Sequence, residues 1–246
     1  MTYGVIILAV GIFLMFFFKE NAQLSEDGLP VCNVDKLYDE PAICLTYELL
    51  FCDDLGKYQK MQESFPVLFA EHPSKEELIN LAQNNNVESR IRILAYRRLK
   101  AMQIIPNKKE VFGVIVEYNQ NINKGKGLDT LALYADGNIR YINHTGNMSA
   151  FTDGFTDDKL SQCAKNILEQ AKQLAQNIGP WEKKRLPPPA KGNIRITLLV
   201  NGDIYFGQGT DKVMFNDNLG GPLLQNMSVL LQRIGQISIK QAPAGN

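Results

Sequence analysis

Residues 128–143 read Leu128-Asp-Thr-Leu-Ala-Leu-Tyr-Ala-Asp-Gly-Asn-Ile-Arg-Tyr-Ile-Asn143. Two apolar, strand-prone runs flank Asp136-Gly137. Asp-Gly in that setting is among the strongest short hairpin signals, because a tight primed turn needs residues that tolerate positive φ. Ile194 to Val200 and Asp203 to Phe206 flank Asn201-Gly202 in the same way, and Val111 to Tyr118 supplies another strand ahead of a polar loop. The two hairpins align at a constant offset, Leu133-Tyr134 on Leu198-Leu199 and Asp136-Gly137 on Asn201-Gly202. An amphipathic helix follows each. Leu160, Cys163, Ala164, Ile167, Leu168, Ala171 and Leu174 make one apolar stripe; Leu223, Met227, Leu230, Leu231 and Ile234 make the other. A tandem hairpin–helix repeat is one explanation, and the general likeness of any two such units is the other. Either way the order predicts an α+β fold, an antiparallel sheet of about five or six strands packed with helices.

Helical patterns precede the sheet. Ala42 to Cys52 is apolar nearly all round and reads as a buried helix. Ser74 with Glu77 forms a capping box that opens a short helix through Leu78, Leu81 and Ala82. Asn86 is placed to cap a helix over Val87 to Met102. Asp211 to Phe215 is a candidate further strand, and Pro222 suits the first turn of the last helix. The expected organisation is a helical segment at 42–105, an α+β domain at 106–240 and a tail at 241–246.

The amino-terminal segment sets the expected location. Residues 2–18 carry no charge and no proline. As a helix they span about 26 Å, slightly less than a hydrocarbon core of about 30 Å. A single-pass transmembrane anchor at 1–19 is the expectation. A cleaved signal peptide would want a basic flank before the apolar run and a small-x-small site after it, and neither is present. Lys19, just past the span, tips the body toward the cytoplasm. Residues 20–41 read as an acidic tether, and 20–54 holds nine acids against one base, Lys36. Cys44 and Cys52 would sit about 12 Å apart on one helix, beyond disulfide reach. With Cys163 on an apolar face, they read as buried free thiols, and Cys32 could pair with either or stay free.

The chain has 246 residues with 26 basic and 26 acidic side chains, so no net positive charge favours nucleic acid. His72 and His144 lie in no metal spacing, and no Cys-x-x-Cys occurs. Gly125-Lys126-Gly127 lacks the phosphate-loop spacing. Asp129, Asp136, Asp153, Asp157 and Asp158 could ligate a hard cation, but turn and helix-start roles explain several of them and no calcium-loop spacing is present. No catalytic residue, metal or cofactor is therefore expected. The linker Trp181-Glu-Lys-Lys-Arg-Leu-Pro-Pro-Pro189 is the best candidate partner surface. Its triproline favours an exposed extended segment, and Trp181, Lys183, Lys184, Arg185, Pro187, Pro188 and Pro189 are the candidate contacts, against a stiff crossover as the plain alternative. A basic helix face, Arg90, Arg97 and Arg98 with Arg92 and Lys100 beside it, could meet anionic lipid or the acidic stretch, or simply be solvated.

These features rank a membrane-anchored adaptor or scaffold first, binding a protein partner or a second copy. A small-ligand sensor with a pocket between sheet and helices comes next, then an enzyme of unrecognised type. A flat exposed apolar patch would favour the first. A pocket lined by Arg140 and Tyr141 with paired acids would favour the others. The string from Arg92 (Arg-Ile-Leu-Ala-Tyr-Arg-Arg-Leu), with Gly113-Val-Ile-Val-Glu117, Gly127-Leu-Asp-Thr-Leu-Ala132, Tyr134-Ala-Asp-Gly137 and Arg140-Tyr-Ile-Asn143, resembles a group of bacterial hypothetical proteins over roughly residues 42–235. The resemblance implies a bacterial chain, hence an inner-membrane location for an anchored one, and no activity. The element order is also similar to roadblock- and profilin-like domains. That likeness is of fold alone, and a roadblock-like fold would be consistent with pairing of two copies through an edge strand or a helix.

Overall fold

The structure, a computed structural model, describes residues 37–120, 128–152 and 158–241, with side chains to residue 236. Helices α1 (Pro41–Leu49), α2 (Pro66–Phe69), α3 (Lys75–Gln83) and α4 (Ser89–Ala101) come first, with a 3-10 turn at Leu55–Met61. Strands β1 (Val111–Tyr118), β2 (Asp129–Tyr134), β3 (Ile139–Ile142) and β4 (Met148–Phe151) form a meander. Helix α5 (Asp158–Asn177) leads to the hairpin β5 (Asn193–Val200) and β6 (Asp203–Thr210), then α6 (Asp211–Phe215) and α7 (Gly220–Gln241). The six strands are antiparallel in the order β4-β3-β2-β1-β5-β6, so the α+β expectation holds. The expected anchor at 1–19 lies outside the described residues, among which no helix is long and apolar enough to cross a membrane.

Period-two alternation gives the sheet two buried faces. On one, Phe112, Ile115, Ala132, Tyr134 and Leu199 join Tyr47, Phe51, Leu68, Leu78, Ile91 and Leu94 in a single cluster. The helices of 42–105 thus share their core with the sheet. On the other face, Val114, Leu133, Ile139, Ile196 and Leu198 pack under α5 and α7 through Leu160, Ile167, Leu223, Met227 and Leu230. Phe112 is an extra residue between the Val111–Val200 and Gly113–Leu199 pairs, a bulge that keeps both it and Gly113 on the first face.

The two hairpins are not structural copies. Asn201 and Gly202 have φ of 46° and 81° and form a two-residue turn between the paired Val200 and Asp203. The first hairpin has a longer loop, with Tyr134 N–H donating to Asn138 O and Gly137 at φ 86°. One extra loop residue reverses the facing of the return strand. Ile139 therefore enters the α5/α7 cluster, whereas Ile204, its sequence-aligned counterpart, enters the other.

Three local expectations shift for identifiable reasons. Helix α4 begins at Ser89, not after Asn86, because its first N–H donates to Asp136 Oδ2 at 2.6 Å across the fold. Asp136 Oδ1 also accepts from Asn138 N–H, so one carboxylate closes the hairpin turn and caps a helix. Residues 211–215 are helix, not strand: Thr210 Oγ1 accepts from Val213 N–H and Asp211 occupies the first turn. Helix α1 stops at Leu49, short of Cys52, whose φ of 51° is left-handed. The Ser74–Glu77 cap forms as expected, at 3.3 Å.

A polar seam crosses the first face. Thr130, Glu117, Arg195 and Gln208 are successive cross-strand neighbours on β2, β1, β5 and β6. Glu117 is fully buried; Tyr47 donates its hydroxyl to Oε1 at 2.6 Å, and Arg195 Nη1 lies 3.6 Å from Oε2. Burial, and next the Glu117 charge, hold the Tyr47 phenol well above its usual range.

Candidate functional site

On the α5/α7 face the packing is incomplete at one end of the sheet. The last residues of β1, the first of β2 and β5, and Tyr141 of β3 form the floor of a groove of about 560 Å³. Phe215 of α6 and Leu224, Met227, Ser228 and Leu231 of α7 form its wall. The cause is local. Val116 and Tyr118 alternate onto this face, but no helix residue fully covers them, and with Tyr141, Phe215 and Leu231 they remain half-buried. The volume falls within the range of small-molecule pockets.

The polar end of the groove is organised by Asp129. Its Oδ1 accepts from Tyr141 Oη at 2.9 Å and from His144 N–H at 3.0 Å, with the His144 ring nitrogen at 3.4 Å; its Oδ2 accepts from Gln120. Burial, then the Asp129 charge, raises the Tyr141 phenol above its ordinary range. Tyr118 is pushed up to about 12 by burial and by the charges of Asp211 and Asp129. Both phenols therefore stay protonated at neutral pH and can donate hydrogen bonds. Asp129 is the one charged side chain among the described residues lining the groove.

The linker is packed differently from its expectation as an exposed strip. Pro188 and Pro189 are buried and Pro187 is half-buried. Arg185 bonds Asp53 at 2.7 Å and Glu48 at 2.9 Å while stacking 4.0 Å from the Phe51 ring centroid. The Leu186 and Pro187 carbonyls accept from Arg195. Trp181 meets Phe206 edge-on at 5.1 Å, and its backbone N–H donates to Ile204 O at 2.7 Å. A buried guanidinium and the carbonyls it can reach explain why the segment docks. Lys183 and Lys184 remain exposed. A larger cleft of about 870 Å³ runs beside the linker; Lys57–Glu48, Lys100–Asp203 and the Arg185 pairs match most of its charges internally, and Glu182, Lys183 and Lys184 stand exposed at its edge.

The basic helix face is also committed to internal contacts. Arg90 pairs with Glu88, Arg97 donates to Gly202 O at 2.8 Å, and Arg98 donates to Ala70 O at 2.5 Å. Arg92 is buried over the Phe112 ring and donates to Ala82 O. These bonds dock α4 onto its neighbours, so its arginines are not a free lipid-facing row. Asp129 and Asp136 accept protein hydrogen bonds, and Asp158 stands in the first turn of α5. Among the described residues no three potential metal-ligating side chains cluster. Asp153, Asp157 and the Gly125–Gly127 loop fall outside them.

Cys44, Cys52 and Cys163 are free and buried, as expected, and Cys32 lies outside the described residues. Burial pushes the Cys52 thiol up to about 12. Of the two residues the sequence suggests for a sheet–helix pocket, Tyr141 lines the groove and Arg140 does not. The groove's apolar lining at the end of β1 and along α7 looks in sequence like ordinary core positions. No model of a known protein family matches the chain, and no curated protein matches it either.

Proposed function

We propose that this protein is a non-catalytic binding module for an apolar small ligand, held at a membrane by residues 2–18. The observation that supports the binding role is the groove between the sheet and α7, with apolar walls and a hydrogen-bonding end at Tyr118, Tyr141 and Asp129. Tyr141 and Asp129 line it, whereas Arg140 lies on the opposite face and donates to Ile139 O and Phe151 O. That arrangement favours a ligand pocket over a flat docking patch. The anchor places such a pocket beside a reservoir of apolar molecules. An adaptor role through the linker is less favoured, because its arginine and two of its prolines are already engaged.

The test is photolabelling of the full-length chain in phosphatidylcholine liposomes with a dodecanol carrying a diazirine in its tail. Labelled peptides are expected from the end of β1, the start of β5 and α7, and excess unlabelled dodecanol should suppress them. Leu231→Trp, which fills the groove, should reduce that labelling and leave labelling of residues 2–18 unchanged. Groove peptides labelled no more than those of exposed α3 would overturn the proposal.

A further inference from the structure

We infer that the groove selects amphiphiles by the sign of the headgroup: it takes a neutral or cationic head on an apolar tail and rejects an anionic one. The inference rests on the binding role above and names the ligand class. The apolar wall of α7 and the floor of β1 and β5 fit a tail and carry no charge. The end that would meet a head holds Asp129, Gln120, Tyr118 and Tyr141, with no lysine or arginine among the described lining residues.

Asp129 has its oxygens fixed by Tyr141, His144 and Gln120, so its charge is held in place. The second carboxylate acting on Tyr118 is Asp211, at the start of α6. Arg233 of α7, next to the lining residue Gln232, acts on Cys163 of α5, which is not among the groove residues. Lys124 and Lys126 fall outside the described residues. A carboxylate or sulfate entering this end would leave water to sit beside like charge, with no lysine or arginine among the described lining residues to compensate it. A hydroxyl or an amine can donate to the oxygens at this end, and a quaternary ammonium, which has no N–H, is drawn by the Asp129 charge. The quaternary ammonium also has two aromatic rings, and rings attract such cations through their faces.

The experiment uses the same full-length chain, liposomes and photolabel, with three competitors that share a dodecyl tail: dodecyltrimethylammonium, dodecanol and dodecyl sulfate. Competition is expressed against membrane-bound competitor. Trimethylammonium and dodecanol should suppress groove labelling at concentrations roughly tenfold or more below those of the sulfate, the scale expected for one fixed charge near the head. Asp129→Asn should narrow that gap. Because Asp129 also holds its neighbours in place, a second variant avoids it: Gln232→Lys, at an exposed lining position, should make the sulfate the better competitor. Sulfate competing as well as trimethylammonium on the wild-type chain would overturn the headgroup inference and leave the binding role standing. Absence of groove labelling would overturn the binding role, and this inference with it.

Discussion

Tyr47→Phe removes one oxygen atom and is expected to cost about 3 kcal/mol. The ring stays, with its edge contacts to Phe51 and Tyr38 at 5.2 Å and 6.3 Å. What is lost is the 2.6 Å bond to Glu117 Oε1. A hydrogen bond to a charged group contributes about 1.5–3 kcal/mol, and the upper end applies when the acceptor is left buried and unsatisfied. Glu117 has no exposed surface, and its Oε2 already lacks a hydrogen-bond partner. Arg195, 3.6 Å away, is held at that distance by its donations to Gln208, Leu186 and Pro187. At about 2–4 °C per kcal/mol for a chain of this size, the melting temperature should fall by about 6–12 °C. Urea unfolding of the full-length chain, followed by the fluorescence of Trp181 and by circular dichroism, gives the free energy directly. In a Glu117→Gln background the acceptor is neutral and the bond about half as strong, so the same Tyr47 change should cost about half as much. A loss under about 0.5 kcal/mol, or an equal loss in both backgrounds, would refute the idea that this bond sustains the seam.

Three other outcomes follow from the packing. Tyr47, Tyr134 and Cys52 are wholly buried with raised folded-state pKa values. Above pH 9 to 10 the unfolded chain loses these protons and the folded chain retains them, so stability should fall with a slope on the order of 1 kcal/mol per pH unit for each group. Denaturant titrations between pH 7 and 11 would contradict this if the midpoint did not move. Gly202→Ala should destabilise by at least about 3 kcal/mol, because its φ is 81° and a new Cβ would stand 2.6 Å from the Arg97 backbone nitrogen. Thermal unfolding reads the effect, and a shift below 3 °C would be incompatible with that contact. Native alkylation with iodoacetamide, mapped by mass spectrometry, should leave Cys44, Cys52 and Cys163 unmodified until denaturant is added.

The hairpins are legible from sequence because turn chemistry is local: Asp136-Gly137 and Asn201-Gly202 mark them without reference to the rest of the chain. The apolar stripes of α5 and α7 are legible for the same reason. The facing of β3 against β6 is not, since it depends on one residue of loop length that an alignment of the two hairpins conceals. The start of α4 depends on Asp136, 47 positions away, and Arg185 finds Asp53 across 132 positions. A basic run or a Pro-rich linker looks available until such distant partners are known. The groove is hidden similarly. It exists because β5 docks against β1 and brings Ile194 beside Tyr118, an adjacency set by sheet order rather than by local pattern. Strand β4 is only four residues long, and its residue types, Met148-Ser-Ala-Phe151, do not follow the alternation of its exposure.

The described chain enters the fold at Leu37 and Tyr38, both buried, and the Tyr38 hydroxyl donates to Leu128 O at 2.8 Å. Leu128 immediately precedes Asp129. That hydrogen bond lies one residue from the carboxylate that accepts from Tyr141, so Tyr38→Phe would release the backbone beside the groove's only charged lining residue among those described. The contact made at this entry point and the polar end of the groove therefore meet at two consecutive residues, 128 and 129.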